Sequence, residues 1–179
     1  PEGGWAVVEE GVEIATTSRE DWFNRGWALV EQQAGKLILE QAGAETGVRV
    51  RRVFAFGPAA NVLRIETWVQ SPEGKNVVAR IGLLDVQFAG EGFLEAGPGP
   101  ASFPAFGQNL FAGIEHVTGE CTVLGEASDR VHLLHRPQLA VEAGWQFVAA
   151  AIVGWIDPGI GTGLTGAAGL REAFLLYLD

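Results

Sequence analysis

Methionine is absent from this chain, cysteine occurs once, and lysine occurs only at Lys36 and Lys75. Each shortage excludes something. The lone thiol, Cys121, can form no internal disulfide, so a cytoplasmic origin is the simplest expectation. Long apolar runs are missing too. The longest, FVAAAIVGWI from Phe147 to Ile156, is about half of the ~18 residues a membrane-spanning helix needs, so no span is expected. The opening PEGGWAVVEE has no basic region ahead of an apolar one. No secretory leader is expected there, and Pro1 fits removal of an initiator methionine or a trimmed end.

Positive charge is also short. Twelve basic residues face 22 acidic ones, for a formal charge of −10. Nucleic-acid affinity comes mainly from Lys and Arg neutralising phosphates, so no direct nucleic-acid partner is expected. One basic cluster stands out, VRVRRV, with Arg49, Arg51 and Arg52. On a strand, Arg49 and Arg51 share one face and Arg52 takes the other. That pattern fits a solvated face, or a local contact with an anion or partner. The missing methionine and scarce asparagine fit a hot habitat, and GC-rich coding would leave the same mark.

What is present is a globular composition, 47% hydrophobic and 19% charged. With 179 residues, the expectation is one domain over 1–179. Its dominant period is two. In VLRIETWVQ, Leu63, Ile65, Thr67 and Val69 fall on one face, and Arg64, Glu66, Trp68 and Gln70 on the other. SPEG follows, then NVVARIGLLDVQF, which together predict a long hairpin. WALVEQQ and KLILEQ flank Ala34-Gly35, a second hairpin. Further strands are expected over 4–17, 48–56, 121–126, 130–142 and 145–157. Nine to eleven strands without intervening helices predict an all-β fold, a single-domain antiparallel sandwich or barrel of jelly-roll type.

Helix signals are few. DWFNRGWALVEQQ could start a helix after Ser18, though Gly26 interrupts it, and LREAFLLYL over 170–178 reads as helix or strand. Two Gly/Pro-rich stretches, 97–107 and 158–169, predict long loops.

Catalytic patterns are lacking. Gly161, Gly163 and Gly166 spell G-x-G-x-x-G, yet 13 residues follow Gly166, too few for a second strand and its distant acid. A Walker lysine is missing as well. A pliable connector, not a phosphate cradle, is expected there. G-x-S-x-G does not occur, and Ser18, Ser71, Ser102 and Ser128 fall in predicted turns or loops. His132 and His135 lie on opposite faces of a predicted strand, poor geometry for one metal. His116 beside Glu115 would need the fold to bring partners. Cys121 could act as a nucleophile only with a histidine beside it, and otherwise reads as a small buried residue. Glu66 and Asp85 could face each other across the long hairpin, a pairing common by chance. The expectation is therefore no catalytic, cofactor or metal site, and no enzyme.

Six tryptophans remain: Trp5, Trp22, Trp27, Trp68, Trp145 and Trp155. Trp68 on a polar strand face suits a sugar platform, an interface anchor or partial burial under a loop. Phe103 and Phe106 in SFPAFG lie on a predicted exposed loop and need covering. The expected interface residues are Trp5, Trp68, Phe103 and Phe106, with Ile160 and Leu164 of the second loop.

In size, β pattern and segments such as VLRIETWVQSPEGKNVVARIGLLDVQF, the chain resembles the small single-β-barrel capsid proteins of tailless icosahedral phages of thermophilic bacteria. The resemblance implies a jelly roll standing in a shell, associating with itself and with other coat proteins through loops and terminal strands. It places the chain in a virion. The alternative is a non-catalytic ligand- or carbohydrate-binding β-barrel in the cytoplasm.

Overall fold

The computed structural model describes residues 6–8, 12–14, 19–20, 26–43, 47–56, 62–71, 77–87, 92–93, 105–107, 110–117, 121–127, 130–135, 139–140 and 143–155, with side chains over 26–43, 47–56, 62–71, 113–114 and 143–155. The fold is all-β, with no helix among the described residues. The strands are β1 (Ala6–Val8), β2 (Val12–Ile14), β3 (Arg19–Glu20), β4 (Ala28–Gln33), β5 (Lys36–Ala42), β6 (Arg49–Phe56), β7 (Val62–Gln70), β8 (Val77–Gln87), β9 (Gly92–Phe93), β10 (Ala105–Gly107), β11 (Leu110–Val117), β12 (Cys121–Ala127), β13 (Arg130–His135), β14 (Leu139–Ala140) and β15 (Gln146–Trp155). Nine of these run six residues or more, within the strand number expected from the period-two pattern.

Two antiparallel sheets result. One has eight strands in the order β4-β5-β6-β7-β15-β11-β10-β9. The other runs β12-β13-β8-β2-β3, with β1 and β14 also on β8. The chain leaves one sheet for the other after β3, β7, β8, β11 and β14. Cα atoms of β8 and β15, one from each sheet, approach within 8 Å.

Ala34-Gly35 makes the expected hairpin, pairing Gln33 with Lys36 across a two-residue turn. Gly35 has φ +76°, the left-handed region open to glycine. An added Cβ would meet only Phe56 Cδ2, at 4.0 Å, so a larger residue there pays in backbone conformation rather than in a clash. Gly35→Ala is expected to lower stability by about 1 kcal/mol, read as a shifted urea midpoint with an unchanged slope.

Three expectations need correction. The long hairpin across SPEG does not form, because β7 pairs with β6 and β15 while β8 pairs in the other sheet. Pro and Gly in the sequence signal a break between strands, but not which strand the chain pairs with next. The amphipathic helix read in DWFNRGWALVEQQ is absent over 28–33, which is β4. There, tertiary pairing with β5 overrides a weak local signal. Residues 105–107, expected to close a loop, form β10 between β9 and β11. Phe106 stands in register with Phe93 on β9 and with Phe111 on β11.

The core follows from the alternation. Val50 and Arg52 on β6, and Ile65, Thr67 and Val69 on β7, are buried on one face. β15 is buried without a break from Val148 to Gly154, on both faces. Its small Ala149, Ala150 and Ala151 let neighbouring backbone lie close. Toward β4 the cover thins: Leu37 and Leu39 are half-buried, and Leu29 is 57% exposed.

Candidate functional site

The face of β5, β6, β7 and β15 opposite Ile65 carries the densest polar chemistry among the described side chains. Register builds it. Glu40, Arg51, Trp68 and Phe147 are successive partners in one cross-strand row. Ala42, Arg49 and Gln70 form the next row. As the sequence predicted, Arg49 and Arg51 share this face while Arg52 turns into the core, 2% exposed, and donates to Thr67 Oγ1.

Glu40 is the hub. Its Oε1 accepts from Arg51 Nε at 2.7 Å and from Arg51 Nη2, and its Oε2 accepts from Arg49 Nη2. Arg49 Nη1 also donates to Gln70 Oε1 at 3.3 Å. Glu40 is buried, 7% exposed, beneath the arginines it binds. Trp145, just ahead of β15, roofs the pair: the Arg51 guanidinium carbon lies 4.2 Å from the ring centroid and that of Arg49 5.2 Å. Both distances suit cation–π attraction. Gln70 Nε2 donates to the Ala143 carbonyl and ties the 143–145 segment to β7.

Trp68 lies where the sequence placed it, on the polar face, and it is engaged. Its Nε1 donates to Glu66 Oε2 at 2.8 Å, while Arg64 Nη1 donates to Glu66 Oε1. Its ring meets Phe147 edge-on, centroids 5.2 Å apart. Of the readings open for Trp68, partial burial within its own sheet describes it best, although the cover is a strand and not a loop. The sequence singled out neither Glu40 nor Trp145; the basic VRVRRV pattern alone could have flagged a partner for Arg51.

Other expected site residues fall elsewhere. Trp5, Phe103, Ile160 and Leu164 lie outside the described residues, as do the glycine stretch 158–169 and the segment 170–178. Phe106 is described in backbone only, on β10. Glu66 and Asp85 do not pair: Glu66 opposes Val53 and Ala150, and Asp85 opposes His132 and Val8. In the β12–β13 ladder His132 pairs with Leu124, and the side chains of His132 and His135 are outside what the structure describes. The same ladder sets Cys121 directly opposite His135. No group of three or more metal-ligating side chains occurs among the described residues.

A second surface lies at the edge. Among the described strands β4 ends its sheet, and Leu29, Val30 and Phe56 are each more than half exposed. A bulge at Val30 shifts the β4–β5 register between Leu29 and Glu31. Glu31, the only charge on β4, is neutralised by Lys36 at 3.0 Å. No protein-family model matches the chain, and no curated protein matches it.

Proposed function

We propose that this is a structural, self-assembling β-domain that acts through contacts between copies of itself, and specifically a viral coat subunit with a jelly-roll fold. The observation that carries the reading is the β4 edge. An end strand presents one row of backbone N–H and C=O groups to any strand that can pair with it. Here that strand bears exposed Leu29 and Val30, and its one charge is cancelled within its own hairpin. Two copies related by a two-fold axis could therefore join β4 to β4 antiparallel without opposing like charges. The half-covered leucines of β5 would lose water in the same step. Two antiparallel sheets, with the chain crossing repeatedly between them, suit a jelly roll. The competing ligand-barrel reading leaned on Trp68, whose N–H and ring are already engaged by Glu66 and Phe147.

Light scattering over a concentration series tests the proposal. The chain is expected to form defined oligomers, and Leu29→Lys, an edge charge of the kind that blocks strand addition, to weaken association about tenfold or more. A chain that stays monomeric throughout, or a lysine variant that assembles like the parent, would overturn it.

A further inference from the structure

Among the described residues, the cluster around Glu40 holds more positive charge than negative, in a chain of the opposite sign. There Arg49 and Arg51 share one carboxylate, two positive charges to one negative, within a protein of net charge −10. Each guanidinium carries five N–H donors in a fixed fork, and the bonds to Glu40 and Gln70 use two of each. Trp145 covers guanidinium faces, so the donors that no described residue engages lie along the edges. The Arg49 side chain is 42% exposed. The backbone on either side of the cluster has room: an added Cβ at Gly144 or at Gly47 would meet nothing within 4 Å.

We infer that Arg49 and Arg51, set on Glu40 and roofed by Trp145, dock a carboxylate side chain from a second copy of this chain. Guanidinium edges match a carboxylate in a planar, charge-assisted pair. The charge balance favours a second copy as the source. Each copy brings 22 acidic residues against 12 basic ones, so like copies repel unless a local cation meets an acid. The inference rests on the self-association reading, and adds that association depends on salt and on this face as well as on β4.

The test uses the full chain, with sedimentation velocity at about 0.05 M and about 0.5 M NaCl, where screening differs strongly. Two variants carry it. Gly144→Glu adds an acid beside the cluster where the backbone has room, and Arg49→Gln removes the more exposed cation while Arg51 stays on Glu40. At low salt, Gly144→Glu is expected to weaken association about tenfold with an unchanged melting midpoint, Arg49→Gln to weaken it similarly with a lower midpoint because Glu40 loses one partner, and high salt to erase the difference in association. Free glutamate at tens of millimolar should compete at low salt beyond the effect of equal NaCl. If both variants assemble like the parent at low salt while Leu29→Lys still blocks assembly, this inference falls and the β4 reading stands. A chain monomeric under every condition removes both.

Discussion

Glu40→Ala is expected to destabilise the fold by about 2 kcal/mol, although Glu40 sits on a polar face remote from the Ile65 core. Removing the carboxylate leaves Arg49 and Arg51 side by side with their shared anion gone. Breaking a buried ion pair from one side costs about 3–5 kcal/mol, because a charge is stranded in poor solvent. The arginine side chains are 42% and 30% exposed, so water screens part of that penalty and the lower figure follows. Trp145 would lose its anchored cations in the same change, loosening the 143–145 segment. Urea unfolding gives the size, and a double-mutant cycle with Arg51→Ala gives the cause. The double variant should lose clearly less than the two single losses added together. Additive losses would mean that Glu40 acts through burial alone and not through its charge.

Ile65→Ala should cost more, about 3–4 kcal/mol, and lower the melting midpoint by roughly 10 °C. Ile65 is 1% exposed at the centre of β7, in register with Phe54 on β6 and Ala151 on β15. Its strand neighbours are held in backbone ladders on both sides, so they can collapse little into the space left by three deleted carbons. The same truncation at Leu37, one strand beyond β6 and only half-buried, should cost less than half as much. Equal losses at the two sites would mean that the core lies under β5 as much as under β7.

Several of these positions are legible in the sequence alone. Alternation in VLRIETWVQ placed Leu63, Ile65, Thr67 and Val69 together; the last three are buried and Leu63 is half-buried. Ala34-Gly35 announced its hairpin because a tight reversal wants a left-handed residue, and Gly35 supplies one. Partner choice was not legible. Period two says which face a residue takes, but not which strand lies alongside. That is why β7 and β8 read as one hairpin yet sit in different sheets, and why the facing of Glu66 and Asp85 that the hairpin left open does not arise. β11 (Leu110–Val117) was missed because its pattern is irregular, with Gly113 inside it and a register shift at Glu115. The arginine cluster was half readable: the sequence put Arg49 and Arg51 on one face, but Glu40 and Trp145 arrive only through non-local pairing. The Cys121–His135 juxtaposition is of the same kind, conditional in the sequence and supplied by strand order.

The eight-stranded sheet changes character from its middle to its rim. At β15 every residue from Val148 to Gly154 is sealed from water, whereas on β4 only Glu31 is even partly sheltered. Local opening is cheapest where few apolar contacts and one ladder must be broken, and dearest where both flanks and both faces are held. From β4 to β15 the sheet thus carries a built-in order of peeling that starts at Ala28–Gln33 and reaches Gln146–Trp155 last. The segment best placed to greet a neighbour is also the one that can rearrange to meet it while the rest stays folded.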